Sequence, residues 1–318
     1  MDKKEVSLLS EIEALECLLN RLPEEHSHRK FFEVELYRSK AGKLGEARMK
    51  KKFKEFYCEE EHHIIWNVNL AIGDWRVQMD GLLLTDRCAL IIESKNISGK
   101  IHFNEATGEF YRFNEIEEKT VMEDPVIQLK KHIRFLGAWF KLQKINMPID
   151  GLVVFTPKQC EFISKPKDKH ICKTYQMVEC LHIILQNYPQ RTASHRLKDV
   201  KSAIADNQVP YQRIPLCEQY RLDPKELRAG VRCYKCNYYS MERKNKRWKC
   251  KKCGEKASYA HAYAVSEYFS LIGNTISNRQ FREFCAIESQ PVATRLITAL
   301  DLKESGERKG RKYRLRNG

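Results

Sequence analysis

Between residues 233 and 253 the chain reads CYKCNYYSMERKNKRWKCKKC, two Cys-x-x-Cys pairs thirteen residues apart, with Gly254 immediately after. A segment so short and so charged has too little apolar content to fold alone. Two thiolate knuckles at this separation close a tetrahedral zinc site of the ribbon type. Cys233, Cys236, Cys250 and Cys253 are therefore expected to hold one Zn²⁺ in a ribbon spanning 229–258, the alternative being four incidental cysteines. Four thiolates leave no coordination position open, so the zinc is expected to be structural. The other eight cysteines, Cys17, Cys58, Cys88, Cys160, Cys172, Cys180, Cys217 and Cys285, show no paired spacing and read as reduced cytosolic thiols.

At 318 residues the chain is longer than most single domains, which implies one main core with small modules appended. Hydrophobic residues make up 42% and charged residues 31%, and no apolar run approaches 18 residues, so a membrane protein is not expected. The N-terminus, MDKKEVSLLSEIEALECLLNRL, is charged throughout and apolar at helical spacing, unlike a signal peptide, which points to an N-terminal helix within 1–30 and a cytoplasmic protein. The formal charge of +15 makes a polyanion the leading partner. Basic enzymes of other kinds share such a charge, so the motifs must decide.

After a polar connector, RLPEEHSHRKFFEVEL, the stretch KLGEARMKKKFKEF forms a basic amphipathic helix. Strands follow at HHIIWNVNL, VQMDGLLLT, ALIIESKN, KIHFNE and GEFYRF. Pro125 starts a helix over VIQLKKHIRFLGAWFKLQ, then come a buried strand at DGLVVFTP and a helix at MVECLHIILQNYP. This order implies an α/β core over 31–205, a linker over 206–228 and two small modules after it. No internal repeat, phosphate-binding loop or His-Glu-x-x-His pattern is present.

The segment VQMDGLLLTDRCALIIESKN places the polar pair Asp86-Arg87 between two apolar runs. A two-residue hairpin loop there pairs Thr85 with Cys88 and sets Asp80 opposite Glu93, with Lys95 on the same face. Two carboxylates with Cβ atoms roughly 4.5–5.5 Å apart repel unless a cation lies between them. Mg²⁺, or the similar Mn²⁺, suits carboxylate oxygens and keeps waters in its shell. Metal-bound water as nucleophile, charge neutralisation at a phosphate and a lysine to orient that water make phosphodiester hydrolysis. The bland reading is an exposed strand end, but these charges interrupt nearly continuous apolar runs, where unpartnered carboxylates are costly.

This arrangement resembles the nuclease-related domain (NERD) family of the PD-(D/E)XK nuclease superfamily over residues 38–160. The resemblance rests on Gly45-Glu46, on MDGLLLT with Asp80, on LIIESKNISGKI with Glu93 and Lys95, and on DPVIQLKKHI with Gln128 and His132. It implies a restriction-endonuclease-like core, a mixed sheet flanked by helices. Asp80 and Glu93 would be metal ligands, Lys95 the catalytic lysine, Glu46 an accessory acid, and Gln128 part of the helix beside the site. A bacterial setting with roles in DNA processing or defence is implied as well. Gly81 and Met79 depart from the family pattern, which carries a polar residue after the aspartate and a proline before it.

Arg243, Lys244, Lys246 and Arg247 give the ribbon a basic stretch, with Trp248 inside it. Phosphate contact plus base stacking is one reading, and a solvated loop with Trp248 covering the small core is the other. From 262 to 318 the text suggests three helices, with Thr275 or Ser277 capping the second and Ser289 the third, and a basic hairpin. This resembles a winged helix-turn-helix module, which implies DNA contact; a plain three-helix module is the alternative.

Taken together, these features point to a Mg²⁺- or Mn²⁺-dependent deoxyribonuclease with C-terminal DNA-binding modules and room for self-association. The rivals are a DNA-binding or regulatory protein on an inactive nuclease fold, and an RNA-directed nuclease.

Overall fold

The computed structural model describes residues 4–104, 106–164, 170–189, 196–210 and 213–316. They form two compact units, one of Met1–Ser39 with Pro210–Gly318 and one of Lys40–Val209. Helix α1 (Glu11–Arg21) starts at a reciprocal cap: Glu13 N donates to Ser10 Oγ at 3.3 Å, and Ser10 N donates to the Glu13 carboxylate at 2.9 Å. Helix α2 (Arg29–Phe53) carries the chain from the first unit into the second. It begins earlier than the composition suggested. Half of the expected connector is helical because Phe32 and Leu36, one turn apart, pack into the apolar cluster of α1.

The Lys40–Val209 unit is the α/β core. Its strands are β1 (His62–Ile72), β2 (Trp75–Thr85), β3 (Ala89–Lys95), β4 (Gly99–Asn104), β5 (Glu109–Phe113) and β6 (Lys119–Met122), then, after α3 (Pro125–Leu142), β7 (Ile149–Phe155), β8 (Cys160–Ser164) and β9 (Ile171–Lys173). Helices α4 (Met177–Gln186) and α5 (Leu197–Asp206) close it. The main sheet runs β1-β2-β3-β7-β9, antiparallel through β3 and parallel from β3 to β9, and a smaller sheet runs β6-β5-β4-β8.

Leu82, Leu83, Leu84, Leu90, Ile91 and Ile92 are all fully buried. They form unbroken apolar runs because both faces of the main sheet are covered. On one face Leu82, Leu84 and Ile91 meet Leu129, Phe135 and Leu136 of α3, Val200 and Ile204 of α5, and Ile101 and Phe110 of the smaller sheet. On the other face Leu83, Leu90 and Ile92 meet Met49 and Phe53 of α2 and Leu181 and Ile184 of α4. Each such side chain contributes roughly 1.5–3 kcal/mol on burial.

In the other unit α6 (Leu216–Tyr220) packs with α1: Leu216, Cys217, Leu222 and Leu227 are buried beside Leu15, Leu18 and Leu19. The stretch read from sequence as a linker, 206–228, thus supplies core residues. The ribbon strands β10 (Met241–Lys244), β11 (Arg247–Cys250) and β12 (Lys256–Ala257) form one antiparallel sheet. Its hairpin turns at Asn245 and Lys246, both at positive φ, the pattern of a tight type I′ turn.

Next come α7 (Ala260–Leu271), β13 (Ile276–Ser277), α8 (Asn278–Cys285), α9 (Gln290–Thr298) and the hairpin β14 (Leu302–Ser305) and β15 (Lys312–Leu315), with sheet order β13-β15-β14. Helix, strand, two helices and a basic hairpin is the order of elements in a winged helix. Ser277 caps α8, accepting from Gln280 N. The ribbon and this module are not separate bodies. Val231, Met241 and Trp248 share one core with Val265, Phe269, Phe281, Leu296 and Ile297. The expected boundary between 258 and 262 therefore runs through a common interior, since a ribbon of three short strands has no second face of its own to bury.

Candidate active site and metal centres

Strands β2 and β3 pair with the register expected of a two-residue loop. Leu84 lies opposite Ala89 and Gly81 opposite Ile92, while Thr85 N donates to Cys88 O at 3.1 Å. The ladder stops at Gly81–Ile92. From Glu93 to Lys95, strand β3 is paired only with β7, as Glu93–Val153, Ser94–Val154 and Lys95–Phe155. At this parting Asp80 stands in for the missing backbone partner: Ser94 N and Ser94 Oγ both donate to Asp80 Oδ2, at 2.8 and 2.7 Å.

A second irregularity lies on the other side of Asp80. Asn67, its counterpart on β1, is in the left-handed region at φ 54°, and the β1–β2 register skips this one pair. Before the break Leu82 and Leu84 lie on the α3 face; beyond it Val77 and Met79 do. The alternation of faces slips by one residue at Asp80, and asparagine is a residue that tolerates such a backbone. Gly81 follows directly, and a Cβ there would lie 2.7 Å from the Trp66 ring. The absence of a side chain at this departure from the family pattern is thus a packing requirement.

Glu93 and Lys95 lie two apart on one strand face, about 6.6 Å along the sheet. Gln128 and His132, four apart on α3, are separated by about 6 Å along the helix. The two spacings match. His132 Nδ1 lies 2.8 Å from Glu93 Oε1, and Lys95 Nζ donates to Gln128 Oε1. Asp124 fixes the start of α3 by accepting from Val126 N at 2.7 Å, with Pro125 in the first turn.

Glu93 is 3% exposed, and its carboxyl is pushed above the ordinary glutamate range by burial, with the Asp80 charge acting the same way and the His132 bond opposing. Helix α2 closes the site. Gly45 lets it approach, since a Cβ there would lie 2.6 Å from Thr156 Oγ1 and 3.1 Å from Asn96.

A cavity of about 320 Å³ is lined by Gly42, Glu46, Gln78, Asp80, Glu93, Ser94, Lys95, Asn96 and Gln128. All five residues singled out from sequence, Asp80, Glu93, Lys95, Glu46 and Gln128, border it. Glu46 is not gathered with Asp80 and Glu93 into one converging ligand set; it sits between Lys43 and Lys50, with N–O distances of 3.5 and 3.9 Å. Ser94, Asn96 and Gln78 were not anticipated. The sequence signal for Ser94 is its place inside the Glu-x-Lys triplet; that its N–H loses a strand partner is seen only in the sheet pairing.

The four cysteines of the ribbon bring their Sγ atoms within 4.8 Å of one another, with Cys233–Cys253 and Cys236–Cys250 each at 3.6 Å. Tetrahedral Zn–S bonds of about 2.3 Å require sulfurs about 3.8 Å apart. The residue after each Cys-x-x-Cys, Asn237 or Gly254, has positive φ, and its N–H donates to the first cysteine's carbonyl at 2.8 or 3.0 Å. Trp248 is 2% exposed, packs in the shared core and donates from Nε1 to His261 Nδ1 at 3.1 Å. Its ring has no free face for a base, so of the two readings of Trp248 the geometry supports the core one. Lys244, Lys246 and Arg247 are exposed, and Arg243 is half-buried.

No helix among the described residues is long and apolar enough to cross a membrane. Residues 230–271, the ribbon with α7, match the family model described as MRN-interacting protein. Neither the curated proteins nor the solved structures contain a match. Residues 41–156, which carry β1 to β7, the parting of β2 from β3 and every residue bordering the cavity, match the family model described as Nuclease-related domain, so most of the Lys40–Val209 unit is similar to that family.

Proposed function

We propose that the cavity bordered by Asp80, Glu93 and Lys95 hydrolyses phosphodiester bonds of DNA with Mg²⁺ or Mn²⁺. The observation that carries this reading is the pair of carboxylates at the strand parting. A nearly sealed glutamate beside a second acid is costly unless a cation joins them. Asp80 Oδ1 and Glu93 Oε2 make no hydrogen bond among the described residues, while Oδ2 and Oε1 are held by Ser94 and His132. Each acid therefore keeps one oxygen for a ligand and has the other fixed, which fits a hard divalent ion that retains several waters. Bound there, the ion would supply a water of lowered pKa and neutralise charge on the phosphate.

The chain's own residues do the rest. Ser94 and His132 fix the carboxylates, so no reorganisation is needed as charge develops. Lys95, steadied by Gln128, lies beside the acids and orients the attacking water or stabilises the anionic phosphate. Glu46, balanced by Lys43 and Lys50, tunes the charge at the cavity wall. The net charge of +15 favours a polyanionic substrate.

The test is a cleavage assay of the full chain and of Asp80→Ala on single-stranded, double-stranded and supercoiled DNA and on RNA, with Mg²⁺ or Mn²⁺ added or omitted. Metal-dependent cutting that disappears in the variant is expected. Binding without cutting of any form would replace this reading with that of a DNA-binding protein on a nuclease fold, and cutting of RNA alone would reassign the substrate.

A further inference from the structure

Two arginines in the unit that holds the ribbon, one buried and one half-buried, are treated in opposite ways. Arg21 of α1 is fully enclosed and fully satisfied: its guanidinium pairs with Glu267 and donates to the carbonyls of Arg228 and Gly230 at 2.6 and 3.2 Å. It also lies 3.8 and 4.4 Å from the ring centres of Phe284 and Tyr239. Arg243 of β10 has none of this. Its Nη1 is out of contact with solvent and, among the described residues, makes no hydrogen bond and has a single, distant ring contact at 5.9 Å to Trp248. Arg243 pairs in register with Trp248, so both share the face of the hairpin turned toward the helices. The positive charge of Arg295, on α9, reaches it there. Burial and the Arg295 charge together hold the Arg243 guanidinium below its usual range.

Neither arginine forms an ion pair among the described residues, and the adjacent Glu242 is engaged by Lys244 and Lys251 at 3.4 and 2.5 Å. A buried cationic donor without an acceptor is costly, and a second cation beside it adds repulsion. A fold that saturates Arg21 so thoroughly leaves an Arg243 nitrogen without an acceptor, on a side chain that is half-buried and still open to an anion from outside. We propose that Arg243 and Arg295 together bind a backbone phosphate of nucleic acid, forming one anion site shared by the zinc ribbon and α9, apart from the carboxylate cavity. The proposal rests on the reading that the chain binds nucleic acid, and not on its cutting it.

A phosphodiester offers two non-bridging oxygens, which two guanidinium forks can each engage in parallel pairs. A polymer is favoured over a free anion because residues 228–316 hold 21 Lys and Arg against 8 Asp and Glu. Exposed Lys246, Arg247 and Lys249 on the ribbon, and Lys303, Arg308, Lys312 and Arg314 on the terminal hairpin, belong to the same unit. On α9 itself Arg295 is the one charged side chain, so the helix needs a second element to hold a strand.

The experiment measures binding of labelled duplex and single-stranded DNA across a salt series, in full-length, zinc-loaded Asp80→Ala protein without added Mg²⁺ so that cleavage cannot interfere. Arg243→Gln, Arg295→Gln and the double variant are compared in that background, with zinc content and thermal melting measured for each. Each single variant should bind about tenfold more weakly and lose about 0.9 from the slope of log affinity against log salt, the share of one phosphate. The double variant should lose less than the product of the two. Free of DNA, Arg295→Gln should melt no lower than its parent, because it removes a repulsion. Unchanged affinity and slope in a zinc-loaded, folded variant would overturn the site, as would failure of the parent to bind either DNA. Cleavage by the unmutated chain is a separate readout, so either reading can fall while the other stands.

Discussion

Asp80 and Glu93 stand where two strands separate, each with one oxygen held by a neighbour and both bordering a cavity, whereas the four ribbon cysteines converge on a single point. The knuckle backbones close over the thiol cluster through Asn237 and Gly254. The carboxylate pair opens onto about 320 Å³ of space bordered by polar side chains. One ligand set is complete and spends its metal on holding a fold that three short strands could not hold alone. Under the proposed function the other set is incomplete, and its missing positions would be where water and substrate fit. On that proposal, what separates a structural from a reactive metal site is what the backbone does beside it: a closed turn in the ribbon, an interrupted ladder in the α/β unit.

The comparison breaks most visibly if the ribbon does not depend on its metal. Cys236→Ser removes one of four thiolates, and binding of structural zinc is worth on the order of 10 kcal/mol. The variant should lose its zinc and the cooperative melting of the unit containing Trp248, seen as exposure of that buried indole by fluorescence. Because the Lys40–Val209 unit has its own core, its melting should persist. Retention of zinc and of a buried indole would mean that the ribbon stands without a complete cluster.

At the carboxylate pair the same kind of change should act in the opposite direction on stability. Glu93→Gln should reduce cleavage by about a thousandfold, roughly 4 kcal/mol of transition-state stabilisation. It should leave the metal-free fold as stable or more stable at neutral pH. The sign follows from linkage. The Glu93 carboxyl titrates above its unfolded value, so the folded state takes up the proton first, and native Glu93 costs stability as pH rises through that range. Glutamine removes this cost, and its advantage should vanish below the ordinary glutamate pKa. Thermal melting with and without Mg²⁺ measures it. A variant that melts well below the parent without metal would make Glu93 a packing residue like the cysteines.

What was legible in the sequence follows the same division. The hairpin register could be read because two polar residues between apolar runs fix the loop, and the loop fixes every pair up to Gly81–Ile92. The knuckles could be read because their spacing is local. The parting at Glu93 and the face slip at Asp80 depend on β7 and on Asn67, pairings that no local pattern announces. The start of α2 and the packing of residues 216–227 were missed for the same reason: Phe32, Leu36 and Leu216 share one apolar cluster with α1, and that cluster joins segments nearly 200 residues apart in sequence. Trp248 sits in a basic stretch, and its burial is set by α7, beyond the reach of the ribbon's own text.

The smallest effect tests whether the ribbon and the terminal helices share one interior. His261, 1% exposed and accepting from Trp248 Nε1, has its pKa lowered to about 4, mainly by burial and further by the Arg243 charge. A histidine near 6.5 when unfolded and near 4 when folded binds its proton more readily in the unfolded state. Stability is then full above pH 6.5 and falls as the pH drops toward 4, by about 3 kcal/mol over those 2.5 units. Zinc thiolates also protonate in acid, so the informative quantity is the difference between the parent and His261→Gln, each melted at pH 7 and pH 5 with zinc in excess. Glutamine can accept from the indole but does not gain charge, so its stability should fall less over that interval. If both lose stability in parallel, His261 does not sense the pH. The junction between ribbon and α7 would then be looser than a core in which Trp248 touches both modules.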